Sequence, residues 1–297
     1  MATVIRNLYK AVGLFSCRHP AHKQFGYEVS PYHIFHVKRC QGIGCVEFLW
    51  RCHTFEKGQA CPRGFQHVGR ACFSCKQYHE EKVNYLAETT LDEVELAEFI
   101  DHLREYEGWL ESMNSRLIEF AGDIDSVTPH LEMHIEPNGR AVEMDGFYIT
   151  FERGHVNRDI FDDRLYLKLS GGRLERLGIA PRDHLECKAY FTESRGRIIL
   201  RKPKQIEINR NGNKSNINVS RALVGRATGK IIVGPVEPCQ GCSYLSLVDI
   251  DDRRRQTPAL YRRFYCLRGV ADSENCPVRL AGLLTSNPPD EMPQRRF

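Results

Sequence analysis

The amino-acid sequence predicts a multidomain α+β protein. In order along the chain it should have a Cys-rich metal-binding domain, a long amphipathic helix, a small β-barrel and a Cys-rich C-terminal metal-binding segment. Three observations carry that expectation. Cysteines crowd towards both ends of the 297-residue chain, apolar residues recur at helical spacing between 96 and 120, and beyond Gly122 the pattern changes to period two. The length allows two or three units, each burying its own core. With 41% hydrophobic and 27% charged residues, the composition is that of a chain that folds.

The first expected domain, residues 1–89, mixes cysteine, histidine and aromatic residues without sustained periodicity, as in a loop-rich unit held by ligands. Residues 90–122 follow as helix and linker. Thr90 and Glu93 fit a capping box, and Leu96, Phe99, Leu103, Tyr106, Leu110, Met113, Leu117 and Phe120 alternate steps of three and four along one seam. Read as continuous from 91 to 120, that helix would extend roughly 45 Å. It could pack on its own domains as a connecting arm, or pair with a second copy or a protein partner.

Residues 123–234 contain eight short period-two segments, beginning at His130, Arg140, Phe147, Leu165, His184, Arg197, Gln205 and Lys230. Turn residues such as Pro137-Asn138-Gly139 and Asp145-Gly146 separate them, which predicts hairpins and a small barrel. Residues 235–286 return to cysteine-rich sequence. A Pro-containing tail, 287–297, is expected to be disordered.

Four cysteines belong to the C-terminal segment: Cys239 and Cys242 as C-x2-C, then Cys266, then Cys276 before Pro277. Four thiolates complete one site. The wide second pair and the Cys-Pro ending point to a [4Fe-4S] cluster, with Zn2+ as the alternative. Upstream, Cys40, Cys45, Cys52, Cys61, Cys72 and Cys75 exceed what one site can use. The quartet Cys52, Cys61, Cys72 and Cys75 contains a Cys-Pro and a C-x2-C, and so reverses the order of the C-terminal set; Cys40 and Cys45 compete with it. Cys17, His19, His22, His33 and His36 supply ligands for a further, zinc-type site. Cys187 stands alone on a strand and reads as a core residue.

Residues 164–203 carry Leu177, Gly178, Ile179, Pro181, Asp183, Leu185 and Glu186 in a pattern close to L-G-I-x-P-G-D-x-L-E. This stretch resembles the GD-box unit of AbrB-like and related cradle-loop β-barrels, with Arg182 where the family pattern has glycine. The resemblance implies a cradle-loop barrel of a kind that often occurs in nucleic-acid-binding proteins. An OB-like barrel is the competing expectation. Without the family, Gly178 can end a short helix and Asp183 can accept from loop amides.

Net charge is only +4, but it is unevenly placed. Residues 1–79 carry 11 basic and 3 acidic side chains, and residues 195–297 carry 19 and 9, whereas residues 80–125 carry 3 and 14. Basic ends suit an anionic partner, RNA or DNA above all. Arg253, Arg254, Arg255, Arg262 and Arg263, interleaved with Tyr261, Phe264 and Tyr265, are the candidate nucleic-acid contacts. The functional expectation is therefore a nucleic-acid-binding metalloprotein, the alternative being an iron-sulfur electron-transfer protein or an accessory subunit of a modifying enzyme. No Rossmann fingerprint, Walker loop or H-E-x-x-H helix names a reaction, and no catalytic residue is assigned. The opening MATVIRNLYK lacks the pattern of a secretory signal and no segment is apolar enough to span a membrane, so a cytoplasmic protein is expected.

Overall fold

The computed structural model describes residues 2–37, 42, 44–211, 218–234, 236–239, 242–254 and 259–277. Cys40, Arg255 and the 287–297 tail lie outside the described residues. Contacts divide the chain into two compact units, Leu8–Arg104 and a larger one formed by Met1–Asn7 with Glu105–Phe297.

The larger unit corrects the expected fold class. A twelve-stranded mixed sheet replaces the long helix followed by a small barrel. From one edge its order is Val4–Ile5, Asp159–Phe161, Gly154–Val156, Leu117–Asp123, His184–Ser194 and Arg197–Asn209. It continues through Leu165–Leu169, Gly139–Phe151, Ser126–Glu136, Leu245–Asp252, Ala259–Cys266 and Lys230–Ile231. Three of the pairings are parallel, and each joins distant parts of the chain: Val4 with Ile160, Leu165 with Ile198, and Val248 with Leu131. Such long-range pairing leaves no local sequence signature. The C-terminal cysteine-rich segment therefore shares this sheet, because Ser246, Val248, Ile250 and Asp252 alternate inward along its first strand.

Phe147, Ile149, Phe151, Phe161, Leu165, Leu167 and Phe191 are fully buried in this sheet's core. At Pro129 the pairing of Ser126–Glu136 with Gly139–Phe151 shifts register, where a residue without an amide hydrogen is tolerated.

The helix Glu93–Met113 is shorter than its apolar spacing predicts. Its capping box lies two residues further on: Asp92 Oδ1 accepts from the Val94 and Glu95 amides at 2.9 and 2.8 Å, and the Asp92 amide donates to Glu95 Oε2 at 3.0 Å. Thr90 Oγ1 instead donates to the Gly13 carbonyl at 3.1 Å. After Met113 the chain passes through Ser115 at φ 61 and enters Leu117–Asp123, where Ile118 and Phe120 are buried while Leu117 is exposed. Leu117 and Phe120 fit a helical repeat by spacing alone, and alternation across the strand decides their faces. Leu103, Tyr106 and Leu110 of the seam are already buried within the chain.

The loop around Asp183 has the geometry its residues call for. Gly178 ends the helix Gly171–Leu177 at φ 57, and the fully buried Asp183 carboxylate accepts from the Ala180 and Asn211 amides at 3.0 and 3.1 Å. Arg182, exposed, sits at φ 74, and its amide donates to the Ile124 carbonyl at 2.7 Å. Left-handed backbone costs a side-chain-bearing residue about 1–2 kcal/mol. Arg182→Gly keeps the amide and removes that strain, less the freedom glycine adds to the unfolded chain. A net gain of about 0.5–1 kcal/mol is expected in urea unfolding, and an unchanged or lower midpoint would show that the arginine side chain contributes more than its backbone costs.

The unit Leu8–Arg104 contains two small two-stranded sheets, Phe15–Cys17 with Ala87–Thr89 and Cys45–Cys52 with Tyr78–Tyr85. Its buried cluster is Phe15, Cys17, Val29, Ile34 and Cys45, flanked by partly buried side chains that include Leu96 and Phe99. Residues 57–67 are nearly all exposed, so something other than apolar burial must hold that stretch.

Candidate metal centres

In the C-terminal quartet, two successive turns carry the C-x2-C pair into a strand. The Cys242 amide donates to the Cys239 carbonyl and the Leu245 amide to the Cys242 carbonyl, both at 3.0 Å. Leu245 then sits opposite Cys266 in the antiparallel pair. Cys276 follows after a turn whose amide donates to the Ser273 carbonyl at 3.3 Å. All four cysteines line one cavity, walled otherwise by apolar groups such as Ile232, Leu245 and Val270. The space is about 20 Å³. That is comparable with the volume one water molecule needs.

The N-terminal quartet repeats these turns and this strand pairing in permuted chain order; among the described residues, the ligand groups whose atoms lie within 4.8 Å of one another include neither quartet. The Cys75 amide donates to the Cys72 carbonyl at 2.8 Å and the Tyr78 amide to the Cys75 carbonyl at 3.0 Å, and Tyr78 sits opposite Cys52. In both hairpins, then, the residue three places after the C-x2-C pair faces a third cysteine at the end of the partner strand. In both, the fourth cysteine comes next in the chain: Cys52 precedes Cys61-Pro62 by nine positions and Cys266 precedes Cys276-Pro277 by ten. Arg63 Nη1 donates to the Ala71 carbonyl at 3.1 Å and ties the Cys61 turn to the loop bearing Cys72. The Phe55 amide lowers the pKa of the Cys52 thiol, which favours the thiolate a metal needs. Spacing alone exposes the reversed order, but only the strand pairing exposes the equivalence.

Cys45 belongs elsewhere. The sulfurs of Cys17 and Cys45 and a ring nitrogen of His22 all lie within 4.8 Å of one another, and this group could hold a metal ion. A second group, His53, Glu56 and His79, lies beside Cys52, with Glu56 within 3.2 Å of each imidazole. A third is His130, Glu132 and Asp145. Neither of these histidine–carboxylate groups has a recognisable spacing in the sequence, because each is assembled across strands or from a strand and the turn beyond it. Cys187 is buried, and burial pushes its thiol up to about 12, so it is no nucleophile at neutral pH.

The candidate arginines are largely committed to carboxylates within the sheet. Arg253 pairs with Asp251 and Glu136, Arg254 with Asp252, and Arg262 with Asp249 at 2.8 Å; the Arg263 guanidinium lies over the Tyr261 ring. Asp249 also receives Arg197 at 2.9 Å and His130 at 3.3 Å. Arg197 is buried, with the rings of Tyr148 and Tyr166 beside it. Burial pushes the Asp249 carboxyl up, but the His130 hydrogen bond and the Arg197 and Arg262 charges outweigh it and hold it well below the usual carboxylate range.

Comparison with protein-family models, with curated proteins and with solved structures finds no match. The class of the protein therefore rests on its own geometry, which brings together cysteine and histidine groups that could hold a metal ion. Among the described residues no helix is long and apolar enough to cross a membrane.

Proposed function

We propose that this chain is a metal-dependent single-stranded nucleic-acid-binding protein, in which each four-cysteine site holds one zinc ion and the N-terminal site shapes the binding surface. The observation that carries this reading is an exposed aromatic cluster framed by cysteines. Trp50 and Phe73 are 43% and 50% exposed, yet their rings meet at 5.0 Å, and Phe73 meets Tyr78 at 5.2 Å. Large apolar rings left at a surface usually mark a binding site. Between Lys57 and His79 the chain has Lys57, Arg63, Arg70 and Lys76, all exposed, and no Asp or Glu. Rings for stacking, with these four cations in the stretch between the two strands, suit bases and phosphates of an unpaired strand. Among the described residues the one acidic contact of the rings is Glu80, which accepts from the Tyr78 hydroxyl at 2.9 Å. The arginines at 253, 254 and 262, matched to neighbouring carboxylates, suit that task less well.

A single zinc ion suits four thiolates presented in this way, with Cys239 and Cys242 on successive turns and Cys266 at the end of the facing strand. The equivalence of the two hairpins extends that reading to Cys52, Cys61, Cys72 and Cys75. Cys61-Pro62 and Cys276-Pro277 favour the second reading, a [4Fe-4S] redox protein.

Titration of a single-stranded oligonucleotide should quench Trp50 fluorescence. With four phosphates neutralised, log K should fall against log salt with a slope of about −3. Trp50→Ala should cost about 1–3 kcal/mol of binding and leave the signal of Trp109, the other tryptophan, unquenched. Binding that ignores salt, or that Trp50→Ala leaves intact, contradicts the proposal.

A further inference from the structure

We infer that Cys17, His22, His33 and Cys45 form a third, buried zinc site of Cys2His2 type, independent of the two four-cysteine sites and of nucleic-acid binding. His22 Nε2 lies 3.4 Å and His33 Nε2 3.3 Å from the Cys45 sulfur. Zinc–sulfur and zinc–nitrogen bonds of about 2.3 and 2.0–2.1 Å in a tetrahedron place the sulfur and nitrogen ligands about 3.6 Å apart. The observed separations match that spacing to within a few tenths of an ångström. The same ring nitrogen of both histidines faces the same sulfur, and the Cys17 sulfur lies within 4.8 Å of both the Cys45 sulfur and a His22 ring nitrogen.

Each ligand comes from a separately anchored element. Cys17 ends a strand paired with Ala87, and Cys45 begins the strand paired with Tyr85. His22 rides on the short helix Pro20–Phe25, whose start is capped by His19 Nδ1 accepting from the Ala21 amide at 3.2 Å. His33 opens a helical turn, with its amide donating to Ser30 Oγ at 3.3 Å. The other two histidines of this stretch have different tasks: His19 caps and packs edge-on against Tyr85, and His36 packs against Tyr9 and Tyr32.

A cysteine between two imidazoles could also be an activated nucleophile. Burial excludes that role, because Cys17 is 0% and Cys45 2% exposed and no substrate can reach them. Those two sulfurs belong to the buried cluster of the N-terminal unit, beside Phe15, Val29 and Ile34. Buried sulfurs in apolar surroundings, with half-buried His22 and His33 completing four protein ligands, describe a structural ion.

The test is zinc content per full-length chain, with cobalt substitution as the spectroscopic readout. Cys45→Ser should lose one zinc equivalent, Cys276→Ser a different one, and the double variant both, while His19→Ala and His36→Ala lose none. Should Cys45→Ser fail to fold, the cobalt-loaded wild-type protein still reports the ligands, through ligand-field bands of a mixed sulfur–nitrogen site that His33→Ala alters. A zinc count unchanged in both Cys45→Ser and His33→Ala, or a cobalt spectrum with sulfur-only bands, overturns the inference. Loss of zinc in Cys276→Ser alone would leave the four-cysteine reading standing and sink only this one.

Discussion

Chelation at neutral pH should unfold residues 8–104 and leave the twelve-stranded sheet folded. The N-terminal unit has a buried cluster of five residues, two of them cysteines, and a long exposed stretch around Cys61. Its hairpin Cys45–Cys52 with Tyr78–Tyr85 is only two strands wide, and an isolated hairpin is marginal in water. Structural zinc sites supply about 10–16 kcal/mol apiece at neutral pH, comparable with the whole stability of an ordinary domain, about 5–15 kcal/mol. The sheet unit, in contrast, buries Phe147, Phe151, Phe161, Phe191 and many aliphatic side chains. Removing metal there should loosen the turns at Cys239, Cys242 and Cys276 without dissolving the sheet. Hydrogen exchange before and after chelation reads both units at once. Protection retained throughout 44–85 after the metal is gone would contradict this account.

Asp249→Ala should destabilise the sheet unit by about 3 kcal/mol or more. The carboxylate is the shared partner of Arg197, Arg262 and His130, and Arg197 is 5% exposed. Without it, a buried guanidinium keeps its charge beside a second one, and the desolvation of both goes uncompensated. Asp249→Asn should cost nearly as much, since it keeps the shape and removes the charge. The pH dependence follows from the direction of the shift. The folded carboxyl titrates below the unfolded one, so its contribution is complete above the ordinary carboxylate range of about 4 and is lost as pH falls towards the depressed folded value. Urea unfolding of wild type and Asp249→Asn should therefore diverge at neutral pH and converge in acid. A constant gap across that range would mean that packing, not charge, is lost.

The C-x2-C pairs at 72 and 239 and the Cys-Pro steps at 61 and 276 stand out in the chain itself, whereas the group that could hold a metal ion, Cys17, His22 and Cys45, is assembled from separate elements and has no such spacing. The Asp183 loop was legible, since a buried carboxylate and a left-handed Gly178 are local devices. The sheet was not. Its parallel pairing of Val248 with Leu131 spans more than a hundred positions, and the strand Leu245–Asp252 is hidden among cysteines and arginines. The helix end was misplaced because Leu117 and Phe120 satisfy two periods at once, and burial of Ile118 in the sheet settles which applies. The role of Arg253, Arg254 and Arg262 was also out of reach, because their carboxylate partners, Asp249, Asp251, Asp252 and Glu136, lie along or across the strands that the fold brings together.

The occupancy on which every metal prediction above depends is one ion at each of three sites of cysteines and histidines. Anaerobic purification of the full chain, followed by metal and acid-labile sulfide analysis with a visible spectrum, tests it most directly. Zinc at one equivalent for each site, three per chain, with no sulfide and no visible band, is the expected result. Iron with matching sulfide and a broad visible absorption, or a folded chain without metal, would contradict it.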